Sequence, residues 1–204
     1  MKKLIKNLIL LAWLGGASAS QAVQIFSDNF DSENGGTPAL NFNSFSQWTV
    51  DSGTVDLIGN GSFDFLPGNG VYLDLDGSTG SAGTITSSSF FLAPGDYVLN
   101  FDLAGNQRGG NDTANVAVNV GLAFQQYTLA SSVGFTPTSL QFTVASGQSA
   151  SISFSGLGGD NVGLLLDNVS LSSVDNNVPD GGFTLALLGG TLSLLGIGRR
   201  FVKA

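Results

Sequence analysis

The sequence predicts an all-β domain, an antiparallel β-sandwich, and three observations predict it. Glycine reaches 29 of 204 residues, Ser, Thr and Asn are frequent, and charged residues make up only 11%. That mixture disfavours long helices and favours short strands joined by turns. Apolar and polar residues alternate with period two along the middle of the chain, with no helical period beside them. Turn signals interrupt the alternation at short intervals. About nine short strands arranged in this way point to two packed sheets, and no fixed repeat length supports a β-helix.

Taken in chain order, residues 1–22 read as a signal peptide, a signal helix removed by signal peptidase. Lys2, Lys3 and Lys6 form a positive start, residues 8–14 are apolar, and Ala17-Ser18-Ala19 or Ser20-Gln21-Ala22 supplies small residues for cleavage. The β domain is expected over 23–177. Its clearest strand places Tyr97, Leu99, Phe101 and Leu103 on one face, with Val98, Asn100 and Asp102 opposite. Val116, Val118 and Val120 alternate in the same way, as do Leu140, Phe142 and Val144, and then Ile152 and Phe154. Further strands are expected near 48–58, 71–76, 84–92, 125–129 and 162–171. Asp51-Ser52-Gly53, Pro67-Gly68-Asn69-Gly70, Asp76-Gly77, Pro94-Gly95-Asp96 and Gly109-Gly110-Asn111 mark the turns between them.

The last segment, 178–204, has three parts. Val178, Pro179, Asp180, Gly181 and Gly182 form a motif that cannot continue a helix. Residues 183–198 are uncharged and mostly apolar. As a helix they span about 24 Å, close to the hydrocarbon thickness once flanking side chains snorkel. Arg199 and Arg200, followed by Lys203, lie in the tail 199–204 and belong on the cytoplasmic side of such a transmembrane helix. Motif, apolar helix and basic end, behind a signal peptide, resemble the PEP-CTERM class of bacterial sorting signals. The Val-Pro-Asp-Gly-Gly form is similar to its VPDSG-type variant, with Gly181 in the place of Ser. The resemblance implies processing by a membrane-embedded exosortase, with Pro179 to Gly182 as its recognition site. It implies an inner-membrane intermediate, then a cell-surface or extracellular protein.

The domain carries a second resemblance. Phe30-Asp31, Gln47-Trp48, Leu73-Asp74-Leu75-Asp76-Gly77, the run from Pro94 to Asn106, and Leu164-Leu165-Leu166-Asp167-Asn168-Val169 occur in that order. The order is similar to the galactose-binding-like jelly rolls of carbohydrate-binding modules. That implies a jelly-roll sandwich and extracellular polysaccharide as a partner.

Charge excludes some functions. Over 23–177 one base, Arg108, stands against 14 acids, a net charge of −13. Nucleic acid is not expected as a partner, because phosphate binding needs Lys and Arg. The chain has no Cys, so neither a disulfide nor thiol chemistry is available. It has no His, which removes the usual general base and the Ser-His-Asp triad. Glu33 is the only Glu and no activated nucleophile is visible, so no enzyme activity is expected.

Asp167 is the acid to explain. A regular strand would put Leu165, Asp167, Val169 and Leu171 on one face. A carboxylate among three aliphatics needs a cation or several N–H donors. Either it sits at a sheet edge and takes backbone N–H groups, or it binds metal. The jelly-roll resemblance implies the second: an Asp of the last strand helps to hold a structural Ca²⁺ near the N-terminal strand. Asp31 and Asp167 are then the ligands, with Asp28 beside them, a hard-oxygen set that Ca²⁺ accepts. Asp74-Leu75-Asp76-Gly77 lacks the third acid and distal Glu of an EF-hand and reads as a strand ending in a turn. Arg108 and Asn106, before a Gly-Gly loop, are candidates to bind sugar hydroxyls, or Arg108 pairs with a neighbouring acid. Trp48 and Tyr72 are candidates to stack on sugar rings, or they are core. The function expected is glycan binding at the cell surface or in the extracellular matrix. The alternative is a structural envelope or biofilm protein with no small ligand.

Overall fold

The computed structural model describes residues 22–174. Apart from Ala22, the expected signal peptide lies outside the described residues. So do the sorting motif 178–182, the apolar run 183–198 and the basic tail 199–204. Among the described residues no helix is long and apolar enough to cross a membrane.

The strands in order are β1 (Gln24–Asp28), β2 (Trp48–Ser52), β3 (Asp56–Gly59), β4 (Val71–Asp74), β5 (Thr84–Ser87), β6 (Phe90–Leu92) and β7 (Gly95–Ala104). They continue with β8 (Asn111–Val118), β9 (Ala123–Ala130), β10 (Thr136–Val144), β11 (Gln148–Ala150), β12 (Ile152–Leu157) and β13 (Leu165–Ser173). One sheet runs β10-β7-β13-β4-β3, with β1 added beside the far half of β13. The other runs β2-β5-β12-β8-β9, and β6 with β11 makes a separate ribbon. Every pairing of these strands is antiparallel.

Alternation decides which side chains meet between the sheets. Tyr97, Leu99, Phe101 and Leu103 of β7 all enter the core, as their spacing predicts. Ile85, Ala114, Val116, Val118, Ile152 and Phe154 of the other sheet meet them. Phe101 and Phe154 touch edge to face across the gap, with ring centroids 5.3 Å apart. Burying each such side chain contributes roughly 1.5–3 kcal/mol before the ordering cost.

Three expectations need correction. The strand foreseen over 48–58 is two strands, because the chain turns at Gly53 with φ +61°. A Cβ there would lie 2.0 Å from the Ala82 carbonyl oxygen, so only glycine fits. The alternation through Val116 and Val118 ends in a helical turn, Asn119–Leu122, rather than continuing as strand. Finally, β13 is not regular. Asp167 pairs with Asp102 but Ser170 pairs with Asn100, so one extra residue is inserted opposite β7. Asn168 takes up that bulge with φ +51°, a conformation Asn tolerates. The bulge reverses the phase. Leu164 and Leu166 face the core before it, and Val169 and Leu171 after it. Asp167 therefore does not share a face with Val169 and Leu171. It lies with Leu165 on the other side of the sheet, where Leu165 joins Ile58, Tyr72 and Ala104 in a small second cluster.

Candidate functional site

The fold sorts the candidate residues into three places: the β1–β13 edge, a loop end beyond β4, and the outer face of the β2–β9 sheet.

At the first place, β1 ends at Asp28 and the chain turns at Phe30, whose φ is +57°. The Asp28 carboxylate accepts the Phe30 N–H at 2.8 Å and the Trp48 indole N–H at 2.9 Å. Burial raises its pKa against those two bonds, and the charge of Glu33 adds to the rise. Asp31 reaches across to accept the Val71 N–H at 2.9 Å and the Asn29 amide at 2.8 Å. Gly70 makes room for it, since a Cβ there would lie 1.8 Å from Asp31 Oδ1. Asp167 is 2% exposed and accepts the N–H of Asn168 at 2.7 Å. Burial pushes its carboxyl up to about 7, and the charges of Asp31, Asp102 and Asp28 add to the rise. The structure thus places the three expected calcium ligands in one electrostatic neighbourhood. It does not gather three acidic side chains at metal-ligand spacing anywhere among the described residues. Ca²⁺ held by Asp31 and Asp167 would draw the rest of its oxygens from the main chain and water. Beside them a shallow cleft of about 450 Å³ is lined by Ser27, Asp28, Asn29, Ser32, Gln47, Asn168, Val169 and Ser170. None of these is aromatic, so the cleft offers no ring for a sugar to stack on.

Trp48 is not available for stacking either. It is 4% exposed and packs against Phe26, Phe30 and Phe154 at 5.2, 5.9 and 5.9 Å. A half-apolar ring with one N–H goes inside when a buried acceptor such as Asp28 waits for that N–H. Tyr72 is buried as well, its hydroxyl accepting the Leu66 N–H and donating to Asp64. Burial first, then the charge of Asp64, pushes that hydroxyl up to about 12 against the Leu66 N–H, which lowers it.

At the second place the single cation of the described residues is committed. Arg108 forms an ion pair with Asp74 and lies over the Phe65 ring, 5.1 Å from its centroid. Asp74 also accepts N–H groups from Asp76 and Gly163, each at 3.0 Å. Burial dominates even so and pushes its carboxyl up to about 7. Asn106 has no group to spare for a ligand. Its oxygen accepts the N–H groups of Arg108 and Gly109, and its amide donates to the Gly109 carbonyl and to Asp112. It is a loop-bracing residue, buried for that reason.

The third place carries residues that the sequence reading did not single out. Strand register puts Thr113, Asn115 and Ala117 of β8 outward, opposite Thr128, Gln126 and Phe124 of β9. Ser153 and Ser155 of β12 continue the rows on the other side. Thr86 and Thr84 of β5 come next. Phe124 is 59% exposed on this face. The hydroxyl and amide groups pair across strands: Gln126 donates to Asn115 at 3.0 Å, and Thr84 and Ser155 stand 2.7 Å apart. Asp112 is the only charge on β5, β8, β9 and β12, and its position in the alternation turns it away from this face. The signal was present in the sequence as Ala-Phe-Gln-Gln-Tyr. Only the pairing with β8 shows which alternate residues point outward.

No family model matches the chain, and no curated protein matches it. Solved structures match it in shape. The K3 cleaved adhesin domain of Lys-gingipain from Porphyromonas gingivalis w83 aligns over 76% of this chain and 100% of its own length, at 14% identity and TM-score 0.52. The N-terminal CBM22-1–CBM22-2 tandem domain of Xyn10C from Paenibacillus barcinonensis aligns over 82% of this chain, at 13% identity and TM-score 0.51. This chain spans 50% of the tandem's length. The likeness is one of fold. An all-β antiparallel sandwich, consistent with a jelly roll, is what they share with this chain.

Proposed function

We propose that this chain is an exported surface or extracellular-matrix protein whose sandwich domain binds glycan through the outer face of the β2–β9 sheet. One observation carries the reading: an exposed aromatic, Phe124, at the edge of rows of hydroxyl and amide groups on β5, β12, β8 and β9 that hold no outward charge. Sugar rings have apolar C–H faces that stack on aromatics, and hydroxyl rims that exchange hydrogen bonds with Ser, Thr, Asn and Gln. The shapes matched above belong to an adhesin domain and to a tandem of carbohydrate-binding modules, which supports the choice of glycan. Ca²⁺ on Asp31 and Asp167 belongs to the proposal as a structural ion.

The test is retention of the purified full chain on immobilised polysaccharides, the producing cell's own matrix among them. Selective retention is expected. Phe124→Ala is expected to weaken it about tenfold, equivalent to roughly 1.4 kcal/mol. Retention unchanged by Phe124→Ala would move the site off this face. No retention on any glycan would leave the reading as a structural matrix protein.

Export and sorting rest on the two chain ends. Signal peptidase removes residues up to Ala19 or Ala22, and an exosortase acts near Pro179–Gly182. The intact mass of the surface form is expected to lack both segments. A mass equal to the full chain would end the sorting argument.

A further inference from the structure

The loop end beyond β4 holds a group that nothing described so far accounts for. Asp76 is 1% exposed, and both of its carboxylate oxygens are buried without a hydrogen-bond partner among the described residues. The other buried acids do have donors. Asp56 accepts Asn41 and Ser78, and Glu33 accepts Ser46. Asp28, Asp74 and Asp167 were accounted for above. An isolated buried carboxylate is too costly to leave uncompensated.

The surroundings do not compensate it. Asp56, Asp112 and Asp160 all act on Asp76 with like charge, and the one nearby cation, Arg108, is already bound to Asp74. Burial first, then Asp160 and Asp112, pushes the Asp76 carboxyl up to about 6. A glycine, without a side chain, lies against it. A Cβ at Gly158 would lie 2.5 Å from Asp76 Oδ2 and 3.9 Å from Asp160 Oδ1. Gly158 has no positive φ to explain its identity. What it provides is room between two carboxylates.

We propose that the space over Gly158 binds a calcium ion between the carboxylates of Asp76 and Asp160. A hard divalent cation supplies at once the charge and the partners that Asp76 lacks. Among the described residues no third acidic side chain stands at ligand spacing, so main-chain carbonyls and water complete the shell. Ca²⁺ accepts such irregular oxygen sets, whereas Mg²⁺ demands an octahedron. This site is separate from Asp31 and Asp167. Asp31 bonds Val71 at the start of β4, and Asp76 follows the end of that strand.

The experiment is calorimetric titration of the chelator-treated full chain with CaCl₂ at pH 7.5, for wild type, Asp76→Asn, Asp160→Asn, Gly158→Ala and Asp167→Asn. Asp76→Asn and Gly158→Ala are expected to lose one equivalent of Ca²⁺, and Asp160→Asn to bind it at least tenfold more weakly. Asp167→Asn is expected to keep that equivalent. Asp160 is exposed, so its variant reports even if Asp76→Asn disturbs folding. The proposal is overturned if wild type binds no Ca²⁺. It is also overturned if the Asp76 and Asp160 variants match wild type, or if the loss follows Asp167→Asn alone.

Discussion

Replacing Trp48 with alanine is expected to lower the unfolding free energy by roughly 4 kcal/mol, among the largest effects of any single change in the domain. Two losses combine. The ring fills the space between Phe26, Phe30 and Phe154, and its removal leaves a cavity that close-packed neighbours cannot collapse. The indole N–H is also one of the two donors that hold the buried Asp28 carboxylate. Trp48→Phe separates the terms, because it keeps most of the apolar volume and removes only the donor. Its expected cost is about 1–3 kcal/mol, the range for a buried acceptor left unpaired. Denaturant unfolding of the full chain measures both. A Trp48→Ala variant within about 1 kcal/mol of wild type would mean that the ring is a surface platform after all.

That contrast shows what the sequence could and could not disclose. In β7 the inward residues Tyr97, Leu99, Phe101 and Leu103 are all large and apolar, and Asp96, Asn100 and Asp102 lie between them, so the face was readable from spacing alone. In β13 the apolar residues are just as clear, but a single inserted residue reverses their phase at Asn168. Nothing local in Leu-Asp-Asn-Val announces that insertion. It is fixed by the register with β7, a contact across more than 60 residues. Aromatics pose the same difficulty. Trp48 and Phe124 both sit in alternating segments, and one goes in while the other stays out. The difference lies in the partner strands, β5 for one and β8 for the other. The acids were legible as a group, since one base cannot answer so many carboxylates. Which acid remains unanswered depends on where backbone N–H groups end up, and that only the fold decides.

Replacing Arg108 with methionine is expected to cost roughly 3 kcal/mol at pH 8 and less than half of that at pH 5. Methionine keeps an apolar stem against Phe65 and removes the charge that faces Asp74. About a quarter of the Arg108 side chain is exposed, which places the loss at the lower end of the range for broken buried pairs. The pH dependence follows from Asp74. Burial above all holds its folded pKa up at about 7, while the N–H of Asp76 and the Arg108 charge pull it down. An unfolded Asp titrates near 4, so between about 4 and 7 the folded state binds the extra proton. Stability therefore falls as pH rises through that window, in wild type as well. Without Arg108 the carboxyl moves higher still, and the decline continues further into the alkaline range. At pH 5 Asp74 is protonated in both proteins and the guanidinium has little charge to answer. Thermal unfolding at pH 5 and pH 8, with chelator present to keep cations from Asp76, measures the difference. An equal loss at both values would mean that Arg108 stabilises the loop by packing on Phe65 and not by neutralising Asp74.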